Sequence, residues 1–179
     1  MVAISQLGGK TFYSCKVAAD ETGDFFMNDL KEAGVITNLD DGRIDGITGK
    51  CISMVTPDAE RTMASHLGIT QDLSVDELNS EALSNSKILY IEGYLVTSPT
   101  GFAAAKAAQD IARSSGALVF LTLSDPSMVE NFKASFDEMA SKGVDLIFCN
   151  EDEAMLWQPA PRTATRPWKP SSRCVRTWR

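Results

Sequence analysis

The densest chemistry in this 179-residue chain lies in the tetrapeptide Asn150-Glu151-Asp152-Glu153. It follows the strand-like segment 144–149 and opens a stretch of helical character, so it falls where a strand hands over to a helix. In an open parallel sheet the carboxyl ends of the strands are where ligands bind. An amide followed three residues later by a carboxylate puts both side chains on one face of the first helical turn. There they can hold water around Mg²⁺ and so neutralise nucleotide phosphates. The same pair also reads as an Asn N-cap with a favourably placed Glu in the first turn, and the tetrapeptide taken alone favours that capping role.

Other chemistries find less support. Gly9-Lys10-Thr11 and Gly49-Lys50-Cys51 approach the phosphate-binding P-loop, but Ile4 and Ile44 stand where its first glycine is required. Each also precedes a strand, whereas that loop must open a helix whose amides cradle phosphate, so both read as turns. No Gly-x-Gly-x-x-Gly fingerprint of a dinucleotide site occurs. His66 is the only histidine, without an evident partner for a triad or a metal site, and reads as a partly exposed loop residue after a hairpin.

The elements that must position Asn150 and Glu153 follow from the hydrophobic pattern. Thr11 to Val17 has strand composition, and Thr22 to Ala33 places Phe25, Phe26, Leu30 and Ala33 at helical spacing before Gly34. Ile44 to Met63, with its turn at 57–60, predicts an antiparallel hairpin. Ser74 to Glu77 forms a capping box, and Lys87 to Ile91 is a buried strand. Helix from Pro99 to Ser115, strand over 117–123, helix from the Ser124-Asp125-Pro126 cap to near Gly143 and strand over 144–149 then alternate. Three apolar strands separated by helices predict parallel crossovers and a sheet covered on both faces.

Composition sets the class. The chain is 44% hydrophobic and 23% charged, enough for one sizeable core. Residues 158–179 hold Arg162, Arg166, Lys169, Arg173, Arg176 and Arg179 and no acid; setting these six charges apart from the formal −7 leaves −13 for residues 1–157. So acidic a body repels a phosphate backbone, which argues against a nucleic-acid partner. Four cysteines without a Cys-x-x-Cys pair and no secretory leader favour a reducing, cytoplasmic setting. No apolar run approaches the roughly 20 residues that cross a bilayer, so no membrane partner is expected. After Trp157 the composition turns abruptly to Pro, Trp and Arg. That segment reads as a disordered basic tail or, as the break falls just inside a helix, as out-of-frame translation, the reading we favour.

Several segments taken in order resemble the PfkB (ribokinase-like) family of sugar and nucleoside kinases. Leu7-Gly8-Gly9-Lys10 leads into a strand; Val17-Ala18-Ala19-Asp20-Glu21-Thr22-Gly23 is similar to the family's Asp-x-x-Gly turn; Leu30 to Val35 closes the following helix. Thr48-Gly49-Lys50-Cys51 with Asp58-Ala59-Glu60-Arg61-Thr62 resembles the adenosine-kinase-like branch, and Asn150-x-x-Glu153 resembles the family's Asn-x-x-Glu motif.

The resemblance covers 1–157 as a partial kinase domain and leaves 158–179 as tail. It implies an α/β fold, a ribokinase-like three-layer sandwich with a mostly parallel sheet and a small β-hairpin lid element, here incomplete. It implies ATP as cosubstrate, Mg²⁺ as cofactor, and transfer of the γ-phosphoryl to a hydroxyl of a small sugar or nucleoside. By this resemblance Asn150 and Glu153 organise Mg²⁺ and phosphate, Arg61 lies near the transferred phosphate, and Cys51 and Tyr94 face the substrate. Cys51 reads equally as a small core residue of a strand, and Arg61 as a solvated hairpin charge. The hairpin is a lid or a homodimer contact.

The family's Gly-Ala-Gly-Asp segment, which supplies the anion hole and the basic Asp, occurs nowhere in the chain, nor does its Gly-Gly-x-x-x-Asn substrate segment. The expectation is therefore a kinase fragment inactive by itself, with a non-catalytic module binding a small molecule or protein as the alternative.

Overall fold

The computed structural model describes residues 1–39, 42–59 and 61–157, so the expectations for 158–179 lie outside the described residues. The chain divides into two compact units, Met1–Asn79 and a second beginning at Ser80.

In the first unit, helix α1 (Val2–Gln6) precedes β1 (Phe12–Tyr13), α2 (Glu21–Glu32) and β2 (Ile36–Thr37), and β1 pairs in parallel with β2. The predicted strand over 11–17 pairs only at its start. Beyond Tyr13 an asparagine side chain replaces the ladder, Cys15 N–H donating to Asn38 Oδ1 (2.9 Å) and Asn38 Nδ2 donating to Cys15 O (3.1 Å). Cys15, Val17 and Leu39 form a small core against Tyr13, Phe26 and Met27. Burial there pushes the Cys15 thiol up to about 12, which makes it an inert core group.

The hairpin is present as β3 (Lys50–Val55) and β4 (Arg61–His66), paired antiparallel from Lys50↔His66 to Val55↔Arg61. His66 is thus the last residue of a strand, where a loop position was expected, because its ladder with Lys50 extends to the root of the hairpin. Gly49-Lys50-Cys51 likewise enters a strand and is no turn. The Ser74 to Glu77 capping box is formed, on a single 3₁₀ turn, Val75–Glu77.

The second unit alternates as the pattern predicts: α3 (Ser80–Ser84), β5 (Ile88–Ile91), α4 (Pro99–Ser114), β6 (Leu118–Thr122), α5 (Pro126–Ser141), β7 (Leu146–Phe148) and α6 (Glu151–Leu156). The strands form a parallel sheet in the order β5-β6-β7. Ser98 caps α4 through Gly101 N–H and Asp125 caps α5 through Ser127 N–H, each followed by a proline at the helix start. Ala104, Ala108 and Ala112, at i+4 spacing, give α4 a shallow buried stripe. Ile91, Val119 and Leu121 meet Ala105, Ala112, Val129, Phe136 and Met139 from α4 and α5 in one core. Gln109, fully buried, donates to Met139 O (3.0 Å) and Gly143 O (3.0 Å) and so ties α4 to the end of α5.

The expectation of a sheet covered on both faces is corrected here. The alternate residues Ile88, Tyr90, Leu118 and Phe148 remain exposed, and Phe148 meets only the rings of Tyr90 and Phe120 among the described aromatic contacts, at 5.9 and 6.0 Å. Both crossover helices lie on the opposite face because successive right-handed βαβ units in one direction pack their helices on one side.

Candidate active site at the carboxyl edge of the parallel sheet

Because the three strands run in parallel, their carboxyl ends deliver Glu92, Leu123-Ser124-Asp125 and Cys149-Asn150 to one edge of the second unit. Asn150 and Glu153 are brought together as the spacing requires. Asn150 is the N-cap of α6: Glu153 N–H donates to Asn150 Oδ1 (2.8 Å), Asn150 N–H to Glu153 Oε2 (3.2 Å) and Asn150 Nδ2 to Glu153 Oε1 (2.9 Å). The capping role is thus satisfied in full. It does not exhaust the pair, because each carboxylate oxygen keeps a further lone pair.

Glu153 is only 5% exposed. Burial raises its pKa above the ordinary carboxylate value, the Asn150 backbone hydrogen bond opposes that, and the charges of Asp125 and Asp152 raise it further. Among the described residues no group of three or more His, Cys, Asp or Glu is arranged to grip a metal directly. A divalent cation that keeps its water shell fits this surplus of negative charge better than a dehydrated one.

Two neighbours at the same edge were not expected as site residues: Glu92 carried no expectation, and Ser124 was expected only as part of a helix cap. Glu92, directly after β5, is held above its ordinary pKa by desolvation. Ser124, directly after β6, sits in the left-handed region at φ 70°, and its buried Oγ has no hydrogen-bond partner among the described residues. Its turn aims Asp125 at the start of α5, where Asp125 accepts from Ser127 N–H (2.8 Å) and Ser127 Oγ (2.6 Å). The rule that singled out Asn150, the first residues past a parallel strand, would have found both.

Tyr94 lies on the 3₁₀ turn Gly93–Thr97 directly after the β5 edge, 45% exposed, its carbonyl accepting from Thr97 Oγ1 (2.8 Å). Cys51 and Arg61 both belong to the hairpin of the first unit but not to one end of it: Cys51 pairs with Ser65 near the root, and Arg61 pairs with Val55 beside the turn. Both are exposed, so Cys51 is no core residue; its Sγ accepts from Ser65 Oγ at 3.3 Å.

Comparison with known proteins decides the family. The profile of the pfkB family carbohydrate kinases matches residues 1–166. The chain belongs to the pfkB family. That match runs nine residues past the boundary drawn at Trp157. A crystal structure of adenosine kinase from Sinorhizobium meliloti superposes with a TM-score of 0.81 at 33% identity, over 87% of this chain and 48% of that one. A probable sugar kinase from Rhizobium etli CFN 42 gives 0.82 at 31%, over the same shares. A 5-dehydro-2-deoxygluconokinase of Clostridium beijerinckii is 29% identical over 125 residues, 66% of this chain and 36% of its own length. The fold is ribokinase-like α/β, and the chain spans about half the length of these two solved structures and about a third of this curated relative.

Proposed function

We propose that this chain is part of a kinase that transfers the γ-phosphoryl of ATP to a hydroxyl of a small sugar or nucleoside, and that the 179 residues do not complete that reaction by themselves. The observation that carries the reading is the Asn150–Glu153 pair, an exposed amide closed onto a buried carboxylate at the carboxyl edge of a parallel sheet in a pfkB-family chain. Mg²⁺, when bound, supplies charge neutralisation at the nucleotide phosphates.

On the second unit, Asn150 orients Glu153, and the two residues would hold Mg²⁺ through its water shell. Tyr94 offers an exposed ring on which a sugar or base stacks. On the first unit, Arg61 is assigned to the transferred phosphate and Cys51 to the substrate, with the hairpin a lid or a homodimer contact. Residues 1–157 are assigned as the partial kinase domain, 158–179 as a tail or out-of-frame segment, and the cytoplasm as its compartment. Among the described residues no helix is long and apolar enough to cross a membrane. Phosphoryl transfer depends chiefly on positioning, charge stabilisation and a base for the attacking hydroxyl. The family's Gly-Ala-Gly-Asp segment, to which the last two belong, is absent from this sequence.

The test is ADP formation by the full chain with Mg²⁺ and ATP, in the presence of adenosine, ribose or fructose in turn. No acceptor-dependent ADP is expected. Turnover that depends on one acceptor and is lost in Asn150→Ala would show that the chain carries a complete site and would overturn the fragment reading. The alternative of a non-catalytic binding module is favoured by one observation, the exposed apolar sheet face that includes Tyr90 and Phe148. Saturable ligand binding without turnover would support it.

A further inference from the structure

The Asp20 carboxylate makes more contacts than a helix cap needs. Its Oδ1 accepts from Gly23 N–H (2.8 Å), which caps α2, but it also accepts from the Thr48 hydroxyl, and Oδ2 accepts from Thr48 N–H (3.0 Å). Thr48 Oγ1 in turn accepts from Ala18 N–H (3.1 Å). Thr48 is buried and stands two residues before β3, so these bonds grip the outgoing leg of the hairpin at its root.

The returning leg is held by the same stretch of chain. Thr70 Oγ1 donates to Lys16 O (3.1 Å), Lys16 Nζ donates to Asp72 O (3.1 Å), and Lys16 pairs with Glu77 at 2.8 Å. The two legs also close on each other: Ile69 N–H donates to Ile47 O (3.0 Å), and Gly68, at φ +52°, approaches so near that a Cβ there would stand 2.0 Å from Ile47 O. Residues 16–20 and the two legs thus make a collar. Beyond it every described residue of β3 and β4 is exposed, Ile52 and Val55 each to 65%. Within this unit the hairpin's direction is therefore set at its root, because its described strand residues are exposed along their length.

We propose that Asp20 is a positioning residue that, through Thr48, fixes how the β3–β4 hairpin leaves its unit. The Thr48 hydroxyl and amide hold the Asp20 carboxyl down at about 2, so the clamp stays charged through the physiological range. Its consequence for catalysis, the placing of a hairpin that carries Cys51 and Arg61, rests on the function proposed above. The clamp itself does not, and its test requires no activity.

The test is amide hydrogen exchange on the full chain by mass spectrometry, comparing wild type with Thr48→Val, Thr48→Ser and Asp20→Ala. Thr48→Val is the deciding variant, because it removes the hydroxyl link and leaves Asp20 to cap α2. It is expected to speed exchange across 50–66 by roughly tenfold, the scale of one hydrogen bond to a charged group. Exchange in α2 and β6 should stay as in wild type, and Thr48→Ser should restore the hairpin. Asp20→Ala should speed the hairpin as much and α2 as well. If Thr48→Val leaves 50–66 unchanged, or speeds α2 and the hairpin equally, Asp20 is only a helix cap and the proposal fails.

Discussion

Phe136→Ala is expected to lower the stability of the unit that begins at Ser80 by about 3–5 kcal/mol. Phe136 is fully buried on α5 and shares its core with Val119, Leu121, Val129 and Met139. Truncation there removes the ring's transfer free energy and leaves a cavity that a three-stranded sheet with both helices on one face can only partly close. Total domain stabilities are only about 5–15 kcal/mol, so the loss should be visible as a large fall in denaturation midpoint. Circular dichroism of the wild type and variant in guanidinium checks it. An unchanged midpoint would mean that α5 does not pack on β6 as described.

The second large effect runs against a helix-propensity rule. Gly23 lies in the first turn of α2, where Ala would ordinarily stabilise a helix by up to about 1 kcal/mol. A Cβ at Gly23, however, would stand 2.1 Å from Ala18 O and 2.9 Å from Val17 Cγ1. The first of these is backbone, part of the stretch that holds Thr48 through Ala18 N–H, so it has little room to yield. Gly23→Ala is therefore expected to destabilise the first unit by about 1–3 kcal/mol, the usual cost of overpacking. Thermal melting of Gly23→Ala beside wild type decides between the two: a higher melting temperature would show that propensity wins and that the close approach is not real.

The contrast between these two sites shows what the sequence makes legible. The second unit was readable because caps, prolines and apolar runs agree there: Ser98-Pro99 and Asp125-Pro126 open helices, Gly116 and Gly143 follow their ends, and each strand is a short apolar run. The same agreement located Asn150 and Glu153, because the end of a strand and the start of a helix are both local signals. Gln109 was not readable. A lone amide in an alanine-rich helix carries no sign that it will reach carbonyls 30 and 34 residues away.

The first unit was harder for the same reason. Its strand over 11–17 was read too long because the composition cannot reveal that Asn38 will take over the bonding at Cys15. Asp20 was visible within an Asp-x-x-Gly turn, yet its bonds to Thr48 span 28 residues. The open face of the β5-β6-β7 sheet was misread as well. Apolar runs say that a parallel strand is to be buried on both sides, but not whether the covering layer comes from the same stretch of chain.

The most direct test of the central claim is to read the coding DNA in all three frames, upstream of codon 1 and downstream of codon 157. If the chain is part of a sugar or nucleoside kinase, a Gly-Gly-x-x-x-Asn segment should be encoded before Met1, and a Gly-Ala-Gly-Asp segment should be encoded after Trp157 in a second frame. If neither segment is encoded on either side in any frame, the 179 residues stand without a base or an anion hole. Phosphoryl transfer is then the wrong function, and binding without turnover takes its place.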